Sequence, residues 1–357
     1  MKRLDTKELV PGMITAEDVY TYSNQLILPK GLVLTDKTIT KLEFYSVLSI
    51  RVEDKKAKQA VEIIEDPSYS ERIQSSKEFI EYKTKFDKTL DLFKVSIFDI
   101  VKNKAPVDTD FLLEQTLNLL KNNGEKINLF LMLHNMRQYD DLTFAHSINV
   151  ALICNQFAQW LHFSKEDIEL ATLCGLLHDI GKLSIPDSII KKPDKLTVRE
   201  YKVVKTHPLE GYNILKSSNI NEHIKNSVLM HHERFDGTGY PLGISSDKID
   251  KFANIVSIAD VYEAMTSKRI YRGPLCPFKV IELFESEGLQ KYNADYIITF
   301  LRNIITTQLG SRVRLNNGET GEVIFINQND LANPTIKSGQ KYIDLSKEPN
   351  LHIETII

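Results

Sequence analysis

Asp260 stands in the run NIVSIADVYEAM, a carboxylate set into an apolar helical stretch where burial without a partner would be costly. The chain repeats this arrangement. His178 and Asp179 close the apolar segment IELATLCGLLHD, His207 lies in REYKVVKTHPLEGYNIL, and His231 with His232 ends a further helical segment ahead of ERFDGTGYP. His146 belongs to the same region. A fold that buries these segments has to give each imidazole and carboxylate a partner, and a shared metal site does so for all seven at once.

At 357 residues the chain exceeds one typical domain, and 42% apolar residues suffice for a sizeable core. Lys plus Arg number 45 against 48 Asp plus Glu, a formal charge of -3. That balance argues against a holder of long nucleic acid but allows a local basic pocket for a small anion. Cys154, Cys174 and Cys276 are scattered and read as reduced residues, not a disulfide frame. Neither a signal core nor an apolar run of about 18 residues is present, so the expected setting is the cytoplasm with no integral membrane segment.

Hydrophobic periodicity divides the chain into four parts of a mainly α architecture. Residues 1–66 predict a small N-terminal α+β domain: LILPKGLVLT as two strands about Pro29, Lys30 and Gly31, KTITKLEFYSV as a short helix, and LSIRVE as a strand. Residues 67–107 predict a helical linker. There Phe79, Phe86, Phe93 and Ile100 recur every seven residues, so over 73–101 the stripe can seal against a second copy, as a homodimer, or against the chain's own helical domain that follows. Residues 108–308 read as almost wholly helical, with capping boxes expected at Ser164 to Asp167 and Thr197 to Glu200 and a bent helix at Pro208. Residues 309–357 return to alternation and predict a short β-rich appendage of three or four strands.

Imidazole and carboxylate donors suit divalent first-row cations, and seven of them exceed what one ion uses. His146, His178, Asp179, His207, His231, His232 and Asp260 therefore read as the shell of two ions, with the two oxygens of Asp179 best suited to bridge them. Gly181 offers a flexible exit from the helix that ends at His178. Two dications less two carboxylates and a hydroxide leave a formal charge of about +1, which suits a phosphodiester and the charge that grows on attack at phosphorus. Read singly, each residue has a plainer role as a hydrogen-bonded core histidine or a helix-packing acid.

Lys182 follows the HD pair closely enough to meet a phosphate oxygen. In RFDGTGYP, Gly237 and Gly239 admit backbone angles denied to branched residues, and Pro241 restricts the exit from the turn. Tyr240 can brace this loop, and Arg234 can bind substrate or fasten it. The segment SKRIYR adds a local basic cluster.

The ordered set of His178 and Asp179, Gly181 and Lys182, and HHERFDGTGYP, continued by SIADVYEAMTSKRIYR, resembles the HD-GYP family of metal-dependent phosphohydrolases over roughly residues 120–308. The resemblance implies hydrolysis of cyclic di-GMP to linear 5'-pGpG, in some members onward to GMP, by a hydroxide held between two divalent ions, iron or manganese. It implies that His146, His178, Asp179 and Asp260 surround one ion, and that His207, His231 and His232 surround the other with Asp179 shared. Arg269 and Arg272 are implied as phosphate contacts, and Lys182, Arg234, Gly237, Gly239 and Tyr240 as substrate-site elements. Third-metal variants carry a Glu where this chain has Leu142, and Asp141 is offset around the helix, so two ions are expected and GMP formation is less so. The competing readings are a cyclic di-GMP sensor or interaction module of low turnover, and cleavage of another cyclic dinucleotide.

Overall fold

A computed structural model describes residues 2–20, 26–35, 38–39, 42, 47, 49–53, 73–121, 129–136, 142–192, 194–267 and 275–357. The chain divides into two compact units, Met1–Asp66 and Pro67–Ile357. In the first, β1 (Lys2–Asp5), β2 (Val19–Tyr20), β3 (Leu26–Leu28) and β4 (Ser49–Val52) form two antiparallel pairs, β1 with β4 and β2 with β3. Alternation turns Leu4, Ile50 and Val52 inward onto a small core with Leu9, Ile27 and Leu34. LILPKGLVLT supplies one strand where two were expected. Beyond the turn at Gly31, whose φ is 81°, only Val33 pairs, in an isolated bridge with Ile14. Most of KTITKLEFYSV lies outside the described residues.

The second unit begins with α1 (Lys77–Lys102), capped by Ser76, whose hydroxyl accepts from Phe79 N at 3.2 Å. The seven-residue stripe Phe79, Phe86, Phe93 and Ile100 is buried in the same core as the helices that follow. It is thus used within the chain, the second of the two roles open to it from the sequence. The helices α2 (Thr109–Leu117), α3 (Leu129–Asn135), α4 (Leu142–Trp160) and α5 (Lys165–Leu177) come next, then α6 (Val198–Val204), α7 (His207–Leu215), α8 (Glu222–Met230), α9 (Lys251–Thr266), α10 (Pro277–Leu283) and α11 (Ala294–Thr306).

Two of these are apolar on nearly every side and so lie at the centre. They are α4, burying Ile148, Val150, Ala151 and Leu152, and α9, burying Ile255, Val256, Ile258 and Ala259. The amphipathic α11 covers them with Ile297, Phe300, Leu301, Ile304 and Ile305. Thr197 and Glu200 form the full reciprocal cap expected, whereas at Ser164 the hydroxyl accepts from Asp167 N at 3.1 Å without a reciprocal bond. The single bent helix expected around Pro208 is two helices, α6 and α7, broken at Lys205 and Thr206. Proline sits in the first turn of α7, where its missing N–H leaves no bond unmade.

After α11 the chain forms a sheet of β5 (Arg312–Leu315), β6 (Thr320–Phe325), β7 (Thr335–Ser338), β8 (Lys341–Asp344) and β9 (Ile353–Ile356), in the order β8-β7-β6-β5-β9 and antiparallel throughout. Five strands replace the expected three or four. The strand without a clear signal is β7, sequence TIKS, whose single apolar residue Ile336 carries no readable alternation. Val313, Leu315, Val323, Ile336 and Ile353 join the helical core, so the sheet is a wall of this unit. Among the described residues no helix is long and apolar enough to cross a membrane.

Candidate metal centre

Helix ends bring most of the polar cluster together. His178 is the C-cap of α5, with Asp179 next to it; His207 opens α7; His231 is the C-cap of α8, with His232 following. His146 and Asp260 come from the interiors of α4 and α9. Past a helix end successive side chains no longer fan out by 100° per residue, which lets the HD and HH pairs each address one focus. Gly181 makes the convergence possible by its size: a Cβ there would lie 1.9 Å from His207 O and 2.4 Å from Gly211 N. Its φ is not in the left-handed region, so close approach of α7, not a flexible exit, is its role.

Asp179 is the centre of the constellation. Its Oδ2 faces His178 Nε2 at 3.2 Å and His146 Nε2 at 3.6 Å, while Oδ1 faces His207 Nε2 at 3.3 Å and His231 Nε2 at 3.9 Å. Asp260 Oδ1 lies 3.0 Å from His146 Nε2. All of these side chains are buried, and His232 is half-buried at the edge of the cluster. The donor atoms form three overlapping groups of metal-binding type: His146, His178 and Asp260; His178, Asp179 and His231; His207, His231 and His232.

The imidazoles are held from behind. Nδ1 of His178 donates to Gly175 O at 2.7 Å, that of His207 to Val204 O at 2.8 Å, and that of His231 to Val228 O at 2.9 Å. His146 differs, with Nδ1 at 2.5 Å from the buried carboxylate of Glu263, which also accepts from Asn149 at 3.0 Å and Ser267 at 2.6 Å. Anchored so, the three rings that lean on carbonyls turn an unprotonated Nε2 inward, whereas His146, set between Glu263 and Asp260, keeps a proton that a cation has to displace. His207 and His231 then face each other Nε2 to Nε2 at 3.2 Å, lone pair toward lone pair, and His178 Nε2 and Asp179 Oδ1 are buried without a hydrogen-bond partner. Such an arrangement is unfavourable unless a cation lies between the donors, so the residues fit a metal.

Electrostatics agree. Burial alone would raise Asp179, but the neighbouring His178 imidazole, the Lys182 ammonium and His207 hold it well below the usual carboxylate range. Asp260 is likewise held low, against burial, mainly by His146. Burial and neighbouring imidazoles push His231 down, and burial pushes His232 down to about 3, leaving both rings neutral. Burial disfavours the charged form of His146 too, yet Glu263 and Asp260 outweigh it and push His146 up to about 9.

Lys182 Nζ reaches Asp179 Oδ2 at 2.5 Å, and its side chain is 22% exposed, so one end of the cluster opens to solvent beside an ammonium. Tyr240 stacks on His232, with ring centroids 4.7 Å apart. Arg234 donates to Glu233 O at 3.0 Å and His231 O at 3.4 Å and lies over the Tyr292 ring, so it fastens the loop. Gly237 has a φ of 77°, and a Cβ on Gly239 would meet Glu233 Cα at 2.4 Å. Arg269 and Arg272 lie outside the described residues, as does Asp141.

Sequence reasoning missed three residues. Glu233, 2% exposed, accepts from the backbone N–H groups of Leu242, Gly243 and Ile244 at 2.6, 3.2 and 3.2 Å and so ties down the loop. Glu263 carried a readable signal, a second acid one turn after Asp260 on the same apolar helix. Lys205, over the Tyr240 ring at 4.5 Å, carried none.

The HD domain family matches residues 112–295, half of the chain. The chain belongs to the HD domain family. Its HD pair and HHERFDGTGYP loop put it in the HD-GYP branch. It is 33% identical over 211 residues to the cyclic di-GMP phosphodiesterase PA4108 of Pseudomonas aeruginosa, covering 59% of this chain and 51% of that protein. It is 43% identical over 118 residues to the cyclic di-GMP phosphodiesterase response regulator RpfG of Xanthomonas campestris, covering 32% and 31%. A 3'3'-cGAMP-specific phosphodiesterase of Vibrio cholerae is 37% identical over 145 residues, covering 41% and 34%. The chain thus spans 31% to 51% of the length of these relatives.

Proposed function

We propose that the chain is a metal-dependent phosphodiesterase that opens cyclic di-GMP to 5'-pGpG at this centre. The observation that carries the reading is the division of Asp179, with Oδ2 toward His146 and His178 and Oδ1 toward His207 and His231. In this reading His146, His178, Asp179 and Asp260 hold one divalent ion, and His207, His231 and His232 share Asp179 around a second. Iron and manganese are the ions we favour, since both accept nitrogen and oxygen donors. Such a pair supplies an activated water and a Lewis-acid contact to a phosphate oxygen.

The chain's own residues do the rest. Carbonyls and Glu263 hold the rings at fixed angles, so the donors need no reorganisation when substrate arrives. Lys182, at the open end of the cluster, is suited to donate to a nonbridging phosphate oxygen and to neutralise the charge that builds in the transition state. Tyr240, set by the Glu233-anchored loop, walls the site beside His232. Arg269 and Arg272 are proposed as further phosphate contacts on the resemblance alone. The buried thiols Cys154 and Cys174 suit a reducing cytoplasm, where ferrous iron is also retained. Relatives named for 3'3'-cGAMP keep a second reading open, in which a mixed cyclic dinucleotide is the substrate.

The test loads the protein with ferrous iron under reducing conditions, with manganese, or with no metal, adds cyclic di-GMP and separates the products over time. We expect metal-dependent pGpG and little GMP, because Leu142 offers no carboxylate for a third ion. Asp179→Ala should lose metal and nearly all product. Tight binding without product in fully metallated protein would overturn the assignment, and equal turnover of 3'3'-cGAMP would move it to the second reading.

A further inference from the structure

Lys205 is the C-cap of α6, two residues before His207, and its half-buried side chain lies over two aromatic faces: Tyr240 at 4.5 Å and Tyr201 at 5.6 Å from the ring centroids. Tyr240 also stacks on His232. A row of neighbouring side chains therefore runs from His232 of the candidate metal centre through Tyr240 and Lys205 to Tyr201, a residue 51% exposed. No carboxylate among the described residues pairs with Lys205. Two ring faces attract an ammonium but accept none of its hydrogen bonds in the way an oxygen does, so its donors remain available at the rim of the site.

We propose that Tyr201 and Lys205 form the base-reading subsite for one guanine of the cyclic dinucleotide, Tyr201 stacking the base and Lys205 donating to its O6 and N7. The proposal rests on the phosphodiesterase reading for its substrate class. A purine face stacks on an exposed tyrosine whatever its substituents, so Tyr201 contributes affinity without choice. The ammonium makes the choice. Guanine presents two adjacent acceptors on this edge, whereas adenine puts an amino donor beside N7, and that amino group opposes a cation. Position supports the pairing, because the backbone N–H of Lys205 is held by Tyr201 O at 3.0 Å, which fixes both residues to α6 at one distance from His207.

The experiment compares wild type, Lys205→Met, Tyr201→Leu and Tyr201→Phe, all metal-loaded, on cyclic di-GMP, 3'3'-cGAMP and cyclic di-AMP. Lys205→Met should lower kcat/KM for cyclic di-GMP about tenfold, mainly through KM, and for cyclic di-AMP less than about threefold. Tyr201→Leu should weaken all three by a similar factor, about tenfold, and Tyr201→Phe should restore them. An equal loss on all three with Lys205→Met would make the cation a phosphate contact and overturn the proposal, as would no loss. If wild type turns over none of them, the phosphodiesterase reading fails on its own. The same dinucleotides titrated calorimetrically into wild type and Lys205→Met then still report whether guanine preference depends on the ammonium.

Discussion

At the scale of single residues, what distinguishes this centre is how each imidazole is anchored. Three rings lean on backbone carbonyls, which carry no net charge, but His146 leans on Glu263 and also faces Asp260. Those two carboxylates hold a proton on His146 up to about 9 in the metal-free protein, and an incoming cation has to displace it. The sign follows directly. Apparent metal affinity should climb as pH rises toward about 9 and then level off, with proton release on binding that fades over the same range. Glu263→Gln removes the carboxylate whose charge raises His146 most, so its plateau should arrive at lower pH, while the poorer orientation of His146 should weaken binding about ten- to hundredfold. Chelator competition across pH measures both effects; a pH profile identical to wild type would separate Glu263 from the centre. The HD and HH doublets were legible in the chain because adjacent polar residues at the ends of apolar helices are costly to bury without a purpose. Glu233 was not, since its partners Leu242, Gly243 and Ile244 are backbone donors that any sequence could offer.

At the scale of elements, the centre depends on how closely two segments approach. Gly181 follows the end of α5 and touches the backbone of α7 at His207 and Gly211, so the second imidazole set is placed by a glycine contact. Gly181→Ala inserts a methyl where there is no room; moving α7 away should cost about 1–3 kcal/mol of stability. It should also reduce metal content by about one ion per chain, the one assigned to His207, His231 and His232. Urea unfolding and metal analysis of the purified variant test both parts, and normal values for both would mean that α7 is not positioned through this contact. The break between α6 and α7 has the same kind of consequence. A continuous helix was a fair reading of REYKVVKTHPLEGYNIL, because proline is tolerated as a bend; the chain instead uses Pro208 to start a new helix. The C-cap so created seats Lys205 between Tyr201 and Tyr240, and no local pattern announces that placement.

At the scale of the molecule, the helical unit extends well beyond the HD family match at residues 112–295, in both directions. Phe86 on α1 is fully buried, and Val313, Val323 and Ile336 of the C-terminal sheet are buried in the same core. Phe86→Ala should therefore cost about 3–5 kcal/mol and shift a single cooperative unfolding transition. An early separate transition that leaves metal binding intact would instead make α1 an attachment. Four things could be read without coordinates: the mainly α class, strands in the small N-terminal unit, the alternating C-terminal segment, and the identity of the clustered donors. They are local in origin, arising from periodicity, capping residues and the cost of polar groups in apolar runs. Only tertiary structure decided that the seven-residue stripe of α1 turns inward, that Asp179 divides its oxygens between two imidazole sets, that Glu263 holds His146, and that Lys205 lies over Tyr240. Those outcomes depend on which helix ends meet in space, and a chain records its residues in order but not the distances between segments that packing creates.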